Sequence, residues 1–370
     1  MMEKVRLGDL ECFISDGNYS SKYPRNDEFV KEGVPFIRCN NFKNNTIIKE
    51  DMYYITKEKH SFLLKGHVKE GDILITTRGS LGQIAIVPKE YEDANINAQI
   101  VLLRVNKEKV YNRYLMWQLK SQSVQNQIAK NKTGTALQQL PISRLKKIEL
   151  FIEEDIKKQF GIAHKLDKVQ EIIDLRKKQI EESDEIIKSQ FVEMFGNEKY
   201  PKDEFINLSK EIYAGGDKPK DISRIKTEEY LYPVFANGYE NEGLQGYSKN
   251  YRTKDESVTI SARGTIGYSF IREGNFTPIV RLITITPNDR VNIIYLKYAI
   301  DNINIAGSGT SQAQLTVPNV KKQKIIVPPI ELQNRFAEIV KQIDKQKFIL
   351  EKTLKETEEL QESLMNKYFG

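Results

Sequence analysis

A long-period repeat constrains a fold more than any local pattern does, and this chain of 370 residues is written twice. Arg78-Gly79-Ser80-Leu81-Gly82 recurs as Arg263-Gly264-Thr265-Ile266-Gly267, 185 residues later. Each copy follows a β-rich run, Asp72-Ile73-Leu74-Ile75-Thr76-Thr77 in one half and Ser257-Val258-Thr259-Ile260-Ser261-Ala262 in the other. Farther on, Thr133-Gly134-Thr135-Ala136-Leu137-Gln138-Gln139-Leu140 matches Ser308-Gly309-Thr310-Ser311-Gln312-Ala313-Gln314-Leu315 at an offset of 175. The starts match as well: Val5-Arg6-Leu7 pairs with Ile206-Asn207-Leu208 at an offset of 201. The falling offset gives the first globular half about 26 more residues than the second, inserted in its variable portions. Matching frames around divergent interiors suggest one scaffold doing one job on two different targets.

Each globular half alternates short β-branched runs with Gly, Pro and Asn turns, which predicts mixed β structure with a few helices. One helix is expected from Tyr111 to Ala129 and its counterpart from Ile293 to Asn302. Each half then runs through a lysine-rich strand into a long helix that closes on Phe-Gly, at Phe195-Gly196 and Phe369-Gly370. From Ile162, a 4,3 spacing passes through Leu166, Val169, Ile173, Arg176, Ile180, Ser183, Ile187, Gln190 and Met194. From Phe336, a 3,4 spacing passes through Ile339, Ile343, Gln346, Leu350, Thr353, Thr357, Leu360, Leu364 and Lys367. Sustained heptads predict a coiled coil, and the polar breaks in both seams suggest that the two helices pack on each other. The expected fold class is therefore α+β. Two mixed α/β domains in pseudo-two-fold repeat, 1–152 and 197–330, are separated by two long helices, 153–196 and 331–370, forming an antiparallel coiled coil. About 35 residues of helix span roughly 50 Å. That length suits a spacer holding two reading heads about one turn of duplex DNA apart.

The remaining composition mostly excludes. No apolar run approaches the roughly 20 residues of a membrane-spanning helix, and the N-terminus has no apolar segment of a secretory signal. Two cysteines, Cys12 and Cys39, make neither a disulfide framework nor a zinc site, so a reducing, cytoplasmic setting is expected. His60 and His67 have no third ligand nearby at a useful spacing and read as surface histidines, so no metal is expected. There is no P-loop, no Gly-x-Gly-x-x-Gly after a strand and no nucleophile elbow. The methyltransferase tetrapeptide Asn/Asp-Pro-Pro-Tyr/Phe is also absent; Val327-Pro328-Pro329-Ile330 lacks its polar and aromatic members. Asp155-x-Lys157 reads as a solvated helix start. A net charge of +6 permits a polyanionic partner without requiring one. The chain reads as a binder without catalytic residues.

The duplicated loops are the leading binding candidates: Arg78, Gly79, Ser80 and Gly82 in the first half, Arg263, Gly264, Thr265 and Gly267 in the second. Glycine lets a backbone approach a ligand closely. Arginine offers a planar fork of donors to phosphate or to the O6/N7 edge of guanine. A string kept in both halves fits a shared phosphate contact, while base-reading residues should fall where the halves differ. A tight turn with a structural arginine ion pair is the alternative. A second patch holds Tyr19, Lys22 and Arg25 in one half and Lys218 and Lys220 in the other. A third holds Arg38 and Asn40, with Asn237 as its counterpart. These side-chain types read base edges and hold the backbone, and they are also ordinary loop residues. Gln138, Gln139 and Gln314 could pair with adenine or could belong to a turn that docks each globular domain on its helix.

The order of these features resembles the specificity subunit of type I restriction–modification enzymes. Two variable domains each end in a Gly-Thr-x-x-Gln/Ala-Gln-Leu segment, a lysine-rich strand and a long repeated helix. The run from Ile326 to Gln333, followed by Phe336-Ala337, is similar to that family's approach to its conserved helix. In the first half, Phe151-Ile152-Glu153-Glu154-Asp155-Ile156 departs from the Pro-Pro version. The resemblance implies that each globular half is a target-recognition domain for one half of a split double-stranded DNA site, and that the helices fix the gap. It further implies that two methyltransferase subunits dock on this frame, that restriction–translocase subunits can join, and that S-adenosylmethionine, Mg and ATP belong to those partners. No cofactor is expected in this chain. A non-catalytic two-headed protein-interaction scaffold is the alternative, and it does not account for the duplicated Arg-Gly loops.

Overall fold

The computed structural model describes residues 2–19, 22–134, 138–196, 199–264, 266–303 and 315–370. The chain divides into two compact units, Met1–Lys177 with Lys352–Gly370, and Lys178–Glu351. Each unit thus combines one globular half with parts of both long helices.

In the first unit, a six-stranded sheet runs in the order Cys12–Asp16, Ile100–Val105, Ile73–Thr76, Ile84–Ile86, Thr46–Ile47, Phe42–Lys43. Side chains alternate across a strand, and here both faces are covered. Ile73 and Ile75 face a core with Tyr114, Leu115, Trp117 and Leu119, while Leu74 and Leu102 face a second with Ile37, Val68 and Ile96. That explains why Ile73–Thr76 is buried at every position. A smaller sheet sets Asn95–Ile96 parallel to Val34–Ile37, and Met2–Arg6 pairs antiparallel with Glu149–Glu153.

The second unit repeats this plan. Its four-stranded sheet runs Ser209–Ala214, Ile283–Pro287, Ser257–Ile260, Ser269–Arg272. Thr277–Pro278 lies parallel to Tyr232–Phe235, and Lys202–Glu204 pairs with Lys324–Ile326. The two outer strands at Phe42–Lys43 and Thr46–Ile47 and the helix Lys57–Phe62 have no counterpart among the described residues of the second unit; they lie within the half read as longer.

Both long helices have 40 residues, Ile156–Phe195 and Ile330–Phe369. They begin six residues before the first seam position of the heptad pattern. Asp155 starts the first one, its carboxylate accepting from the Lys157 amide at 2.9 Å. Every expected seam position of that helix is buried or half-buried, whereas Ile172, Leu175, Ile186 and Val192 stand exposed off the seam. In the second helix Gln346, Leu360 and Lys367 are exposed, and their neighbours Lys347, Gln361 and Tyr368 are half-buried instead. A 3.6-residue helix drifts against a 3.5-residue repeat in this way.

Within each unit the two helical segments run antiparallel. In the first, Arg176 donates to the Thr353 carbonyl and to the Thr357 hydroxyl, and Lys177 pairs with Glu358 at 2.8 Å. In the second, Lys347 pairs with Asp184 at 2.7 Å, and Phe191 and Phe195 pack edge-on against Phe336. Phe369, from the helix that follows the second globular half, lies in the core of the first unit, 5.2 Å from the Tyr114 ring. Phe195, from the helix that follows the first half, lies in the core of the second, 4.9 Å from Tyr295.

One expected element is corrected. Tyr111 to Ala129 is two helices, Asn112–Lys120 and Gln122–Asn131. Ser121 between them is extended (φ −61°, ψ 148°), and its hydroxyl accepts from the Val124 amide. This break lets Val124 and Ile128 turn back into the core that Trp117 fills. None of the described helices is long and apolar enough to cross a membrane.

Candidate nucleic-acid interface

The duplicated loop has the same frame in both units. In the first, the Gly82 amide donates to the Thr76 carbonyl at 2.9 Å; in the second, Gly267 donates to Ser261 at 3.0 Å. The Leu140 amide donates to Thr77 at 2.9 Å, and Leu315 donates to Ala262 at 3.0 Å. Gly79 and Gly264 have φ of 73° and 69°, and a Cβ at either would meet no atom within 4 Å. Glycine is needed there for backbone conformation and not for space. The frame presents Arg78, Gly79 and Ser80, and likewise Arg263 and Gly264, on the exposed surface. Thr265 lies outside the described residues.

In the first unit the loop meets the second sequence patch. The Arg78 guanidinium stands 5.1 Å from the centroid of the Tyr19 ring, and the Lys65 ammonium 4.9 Å from the same centroid. The Tyr19 hydroxyl donates to Asp16 at 2.6 Å, and Lys65 pairs with the other oxygen of that carboxylate. Burial, reinforced by the Asp16 carboxylate, pushes the Tyr19 phenol up to about 12, so it remains a donor. Cation–π contact and the ion pair together hold two positive charges at one spot beside the loop. Gly17 makes this approach possible: a Cβ there would lie 2.3 Å from the Ile96 carbonyl oxygen. Gly215 is its counterpart, with a Cβ position 2.6 Å from the Pro278 backbone.

Gln139 also reaches this region. It forms a bridge with Arg78 and exchanges backbone hydrogen bonds with Thr133 at 2.8 and 2.9 Å. Gln138 and Gln139 are exposed; Gln314 lies outside the described residues.

The other sequence candidates divide. Lys218 and Lys220 are exposed near Gly215-Gly216; Arg25 and Asn40 are exposed and Lys22 is half-buried. Arg38 is committed locally, its guanidinium 3.4 Å over the Tyr53 ring and donating to the Asp51 carbonyl at 2.8 Å. Asn237 uses both ends of its amide, accepting from the Ala262 amide and donating to Val280, each at 2.8 Å. It positions the strand leading into the Arg263 loop.

Sequence reasoning missed Lys65, Arg252 and a tyrosine pair. Arg252 lies 4.5 Å from the Tyr213 ring centroid and close to Gly216. Tyr239 and Tyr268 meet at a tilt of 52° with centroids 4.8 Å apart, and are 61% and 48% exposed beside the Arg263 loop. The Tyr268 carbonyl accepts from Ser261, which also braces that loop. Exposed aromatic rings of this size are available for contact with an unstacked or groove-exposed base.

His60 and His67, read from the sequence as surface histidines without a third ligand nearby, are half-buried. Their rings stand 4.6 Å apart, and Asp93, distant in sequence, completes a three-residue cluster with them.

The family model described as the type I restriction modification DNA specificity domain matches residues 1–183 and 204–360. A putative type I specificity subunit of Mycoplasma pneumoniae is 37% identical over 133 residues, which is 36% of this chain and 40% of that protein. A second from the same organism is 34% identical over 38% of this chain and 39% of that protein. The chain thus spans about two fifths of the length of these first curated relatives it matches. A putative type I restriction enzyme specificity subunit of Methanocaldococcus jannaschii is 26% identical across 91% of this chain and 86% of its own. The crystal structure of a type I restriction–modification S subunit from M. genitalium superposes with a TM-score of 0.61 at 17% identity, covering 100% of this chain and 96% of that one. At that identity the likeness speaks for the fold.

Proposed function

The chain belongs to the type I restriction–modification DNA specificity family, and from that premise we propose that it reads a bipartite, gapped site on double-stranded DNA. The observation that carries the reading is the repeated loop: one hydrogen-bonded frame, built twice, raising Arg78 and Arg263 to the surface. A contact common to both half-sites is expected to be to phosphate, which positions without discriminating. Discrimination falls to what differs: Tyr19 and Lys65 beside Arg78 in one unit, Tyr239, Tyr268, Lys218 and Lys220 in the other. Each wrong base pair costs about 1–3 kcal/mol in such a complex.

The long helices act as a coiled-coil spacer, a role supported by the antiparallel pairing inside each unit and by the buried seam. Off that seam, Ile172, Leu175, Ile186, Val192, Phe348 and Ile349 are exposed. These apolar side chains suit the docking of two methyltransferase subunits, with restriction subunits joining them. The chain itself is non-catalytic and cytoplasmic, and S-adenosylmethionine, Mg and ATP serve the partners. Among the described residues the site offers cations, amides and aromatic rings, a recognition set. The family match disfavours a general protein-interaction scaffold.

The test inserts seven residues after Ser183, with a matching insertion in the facing helix, in the complex with its methyltransferase. Seven residues lengthen a helix by roughly 10 Å, about three base pairs at 3.4 Å each. The expected result is an unchanged pair of half-sites with a longer gap. Altered half-sites across an unaltered gap would overturn the spacer reading.

A further inference from the structure

We infer that His60, His67 and Asp93 form a binding site for a divalent transition-metal ion of the zinc type. The ligand atoms all lie within 4.8 Å of one another. His60 Nε2 is 3.3 Å from one Asp93 carboxylate oxygen, and His67 Nδ1 is 3.7 Å from the other. Around a tetrahedral ion with bonds of about 2.0–2.1 Å, neighbouring ligand atoms are about 3.3 Å apart. Each imidazole thus already stands near that distance from one carboxylate oxygen, and with all three ligand atoms within 4.8 Å, side-chain rotation alone would gather them around one ion.

The other ring nitrogens decide which atoms are free to bind. His67 Nε2 lies 2.6 Å from the Leu63 carbonyl oxygen, and His60 Nδ1 lies 2.6 Å from Asn95 Oδ1. A carbonyl oxygen only accepts, so each of these nitrogens carries the hydrogen. That leaves lone pairs on His60 Nε2 and His67 Nδ1, the two atoms that face Asp93. Ligating histidines characteristically donate their second N–H to a carbonyl or carboxylate, which fixes tautomer and ring orientation. Both do so here. With the hydrogens so placed, His60 Nε2, His67 Nδ1 and the Asp93 carboxylate turn three electron-rich groups toward one another, an arrangement that a shared cation favours.

The surroundings are rigid where a site needs rigidity. Asn95 is fully buried, and its Nδ2 has no partner among the described residues. Asn95 bridges to His67 in antiparallel fashion. The Asp93 amide donates to the Val68 carbonyl at 2.8 Å, and Val68 donates back to Ala94 at 3.0 Å. Asp93 itself has φ of 64°, a left-handed conformation that aspartate tolerates better than most residues. The side chains of His60 and His67 are 14% and 34% exposed and that of Asp93 is 73% exposed. An ion would therefore have three protein ligands and an open position toward solvent. It would brace the turn that carries Lys65 and Gly66, whose carbonyl accepts from the Ile96 amide at 3.0 Å. That consequence for Lys65 rests on the DNA-recognition reading; the ion site does not.

The test uses the full chain, with its methyltransferase if that keeps it in solution, stripped by chelator and titrated with Co²⁺ as the probe. The expected result is one ion per chain, giving the visible absorption of low-coordinate cobalt, displaced by Zn²⁺, together with a rise in the Tm of the Zn²⁺-loaded protein. Asp93→Asn, at an exposed side chain and so compatible with folding, should weaken Co²⁺ binding at least tenfold. His67→Gln should weaken it further, and His164→Gln, on the long helix, should leave it unchanged. Absence of the cobalt bands, or bands of equal strength in Asp93→Asn, would overturn the assignment. None of these readouts involves DNA, so they stand or fall apart from the recognition reading.

Discussion

Phe369→Ala should loosen the first unit, although in sequence Phe369 belongs to the second repeat. Phe369 is 3% exposed within the core that includes Tyr114, Trp117 and Leu150. Its ring meets Tyr114 edge-on at 5.2 Å and 67°, and Leu364, Met365 and Tyr368 pack around the same core. Removing a buried phenylalanine costs about 3–5 kcal/mol through lost transfer energy and the cavity left behind. The aromatic pair accounts for about 0.5–1.5 kcal/mol of that. At 1.4 kcal/mol per factor of ten, slow amides in Ile100–Val105, an interior strand of the first unit's sheet, should lose about two to three and a half powers of ten in protection. Native-state hydrogen exchange reads this element by element. Amides in Ile283–Pro287, at the centre of the second unit's sheet, should keep their protection. Phe195→Ala, packed against Tyr295 and Phe336, should give the opposite pattern. Equal losses in both sheets, or a loss confined to Ile283–Pro287 in Phe369→Ala, would refute the exchange of helix ends between the two repeats.

Two further outcomes follow from the same repeat. Arg78→Ala and Arg263→Ala should each weaken DNA binding by the assembled complex and lower the slope of log affinity against log salt by about 0.9, one phosphate contact each. Unchanged affinity and slope in both would exclude the phosphate role. Gln159→Ala and Gln333→Ala should each cost about 2–4 kcal/mol in denaturant melts, because each strands three backbone groups that are buried or partly buried. Gln159 accepts from the Tyr111 amide and donates to the Lys109 and Glu153 carbonyls. Gln333 does the same with Asn292, Arg290 and Pro328.

The parts of this molecule that were legible in its sequence are those whose physics is local or periodic. The Arg-Gly-Ser/Thr-x-Gly string survives in both halves because its turn requires positive φ at Gly79 and Gly264 and the same amide bonds behind it. The seam of the first long helix could be read through Ile187; beyond it Phe191 and Phe195 take over the buried positions. What escaped depended on distance along the chain. Asp93 reaches His60 and His67 only through the bridge between His67 and Asn95. Lys65 reaches Tyr19 only because Asp16 pairs with it. Arg38 and Asn237 have the residue types of base readers, yet Arg38 donates to the Asp51 carbonyl, and Asn237 donates to the Val280 carbonyl while accepting from the Ala262 amide. Residue type alone does not distinguish a reader from a brace. The break at Ser121 carried a recognisable N-cap residue, hidden by helix-forming neighbours on both sides.

The central claim is that this chain supplies the DNA specificity of a methyltransferase complex. Its most direct test is a map of methylated adenines across the source genome, by single-molecule sequencing, with and without the gene. The account predicts one gapped, two-part adenine motif that loses methylation on deletion and regains it on complementation. An unchanged set of motifs, with the partner methyltransferase expressed and active, would contradict it.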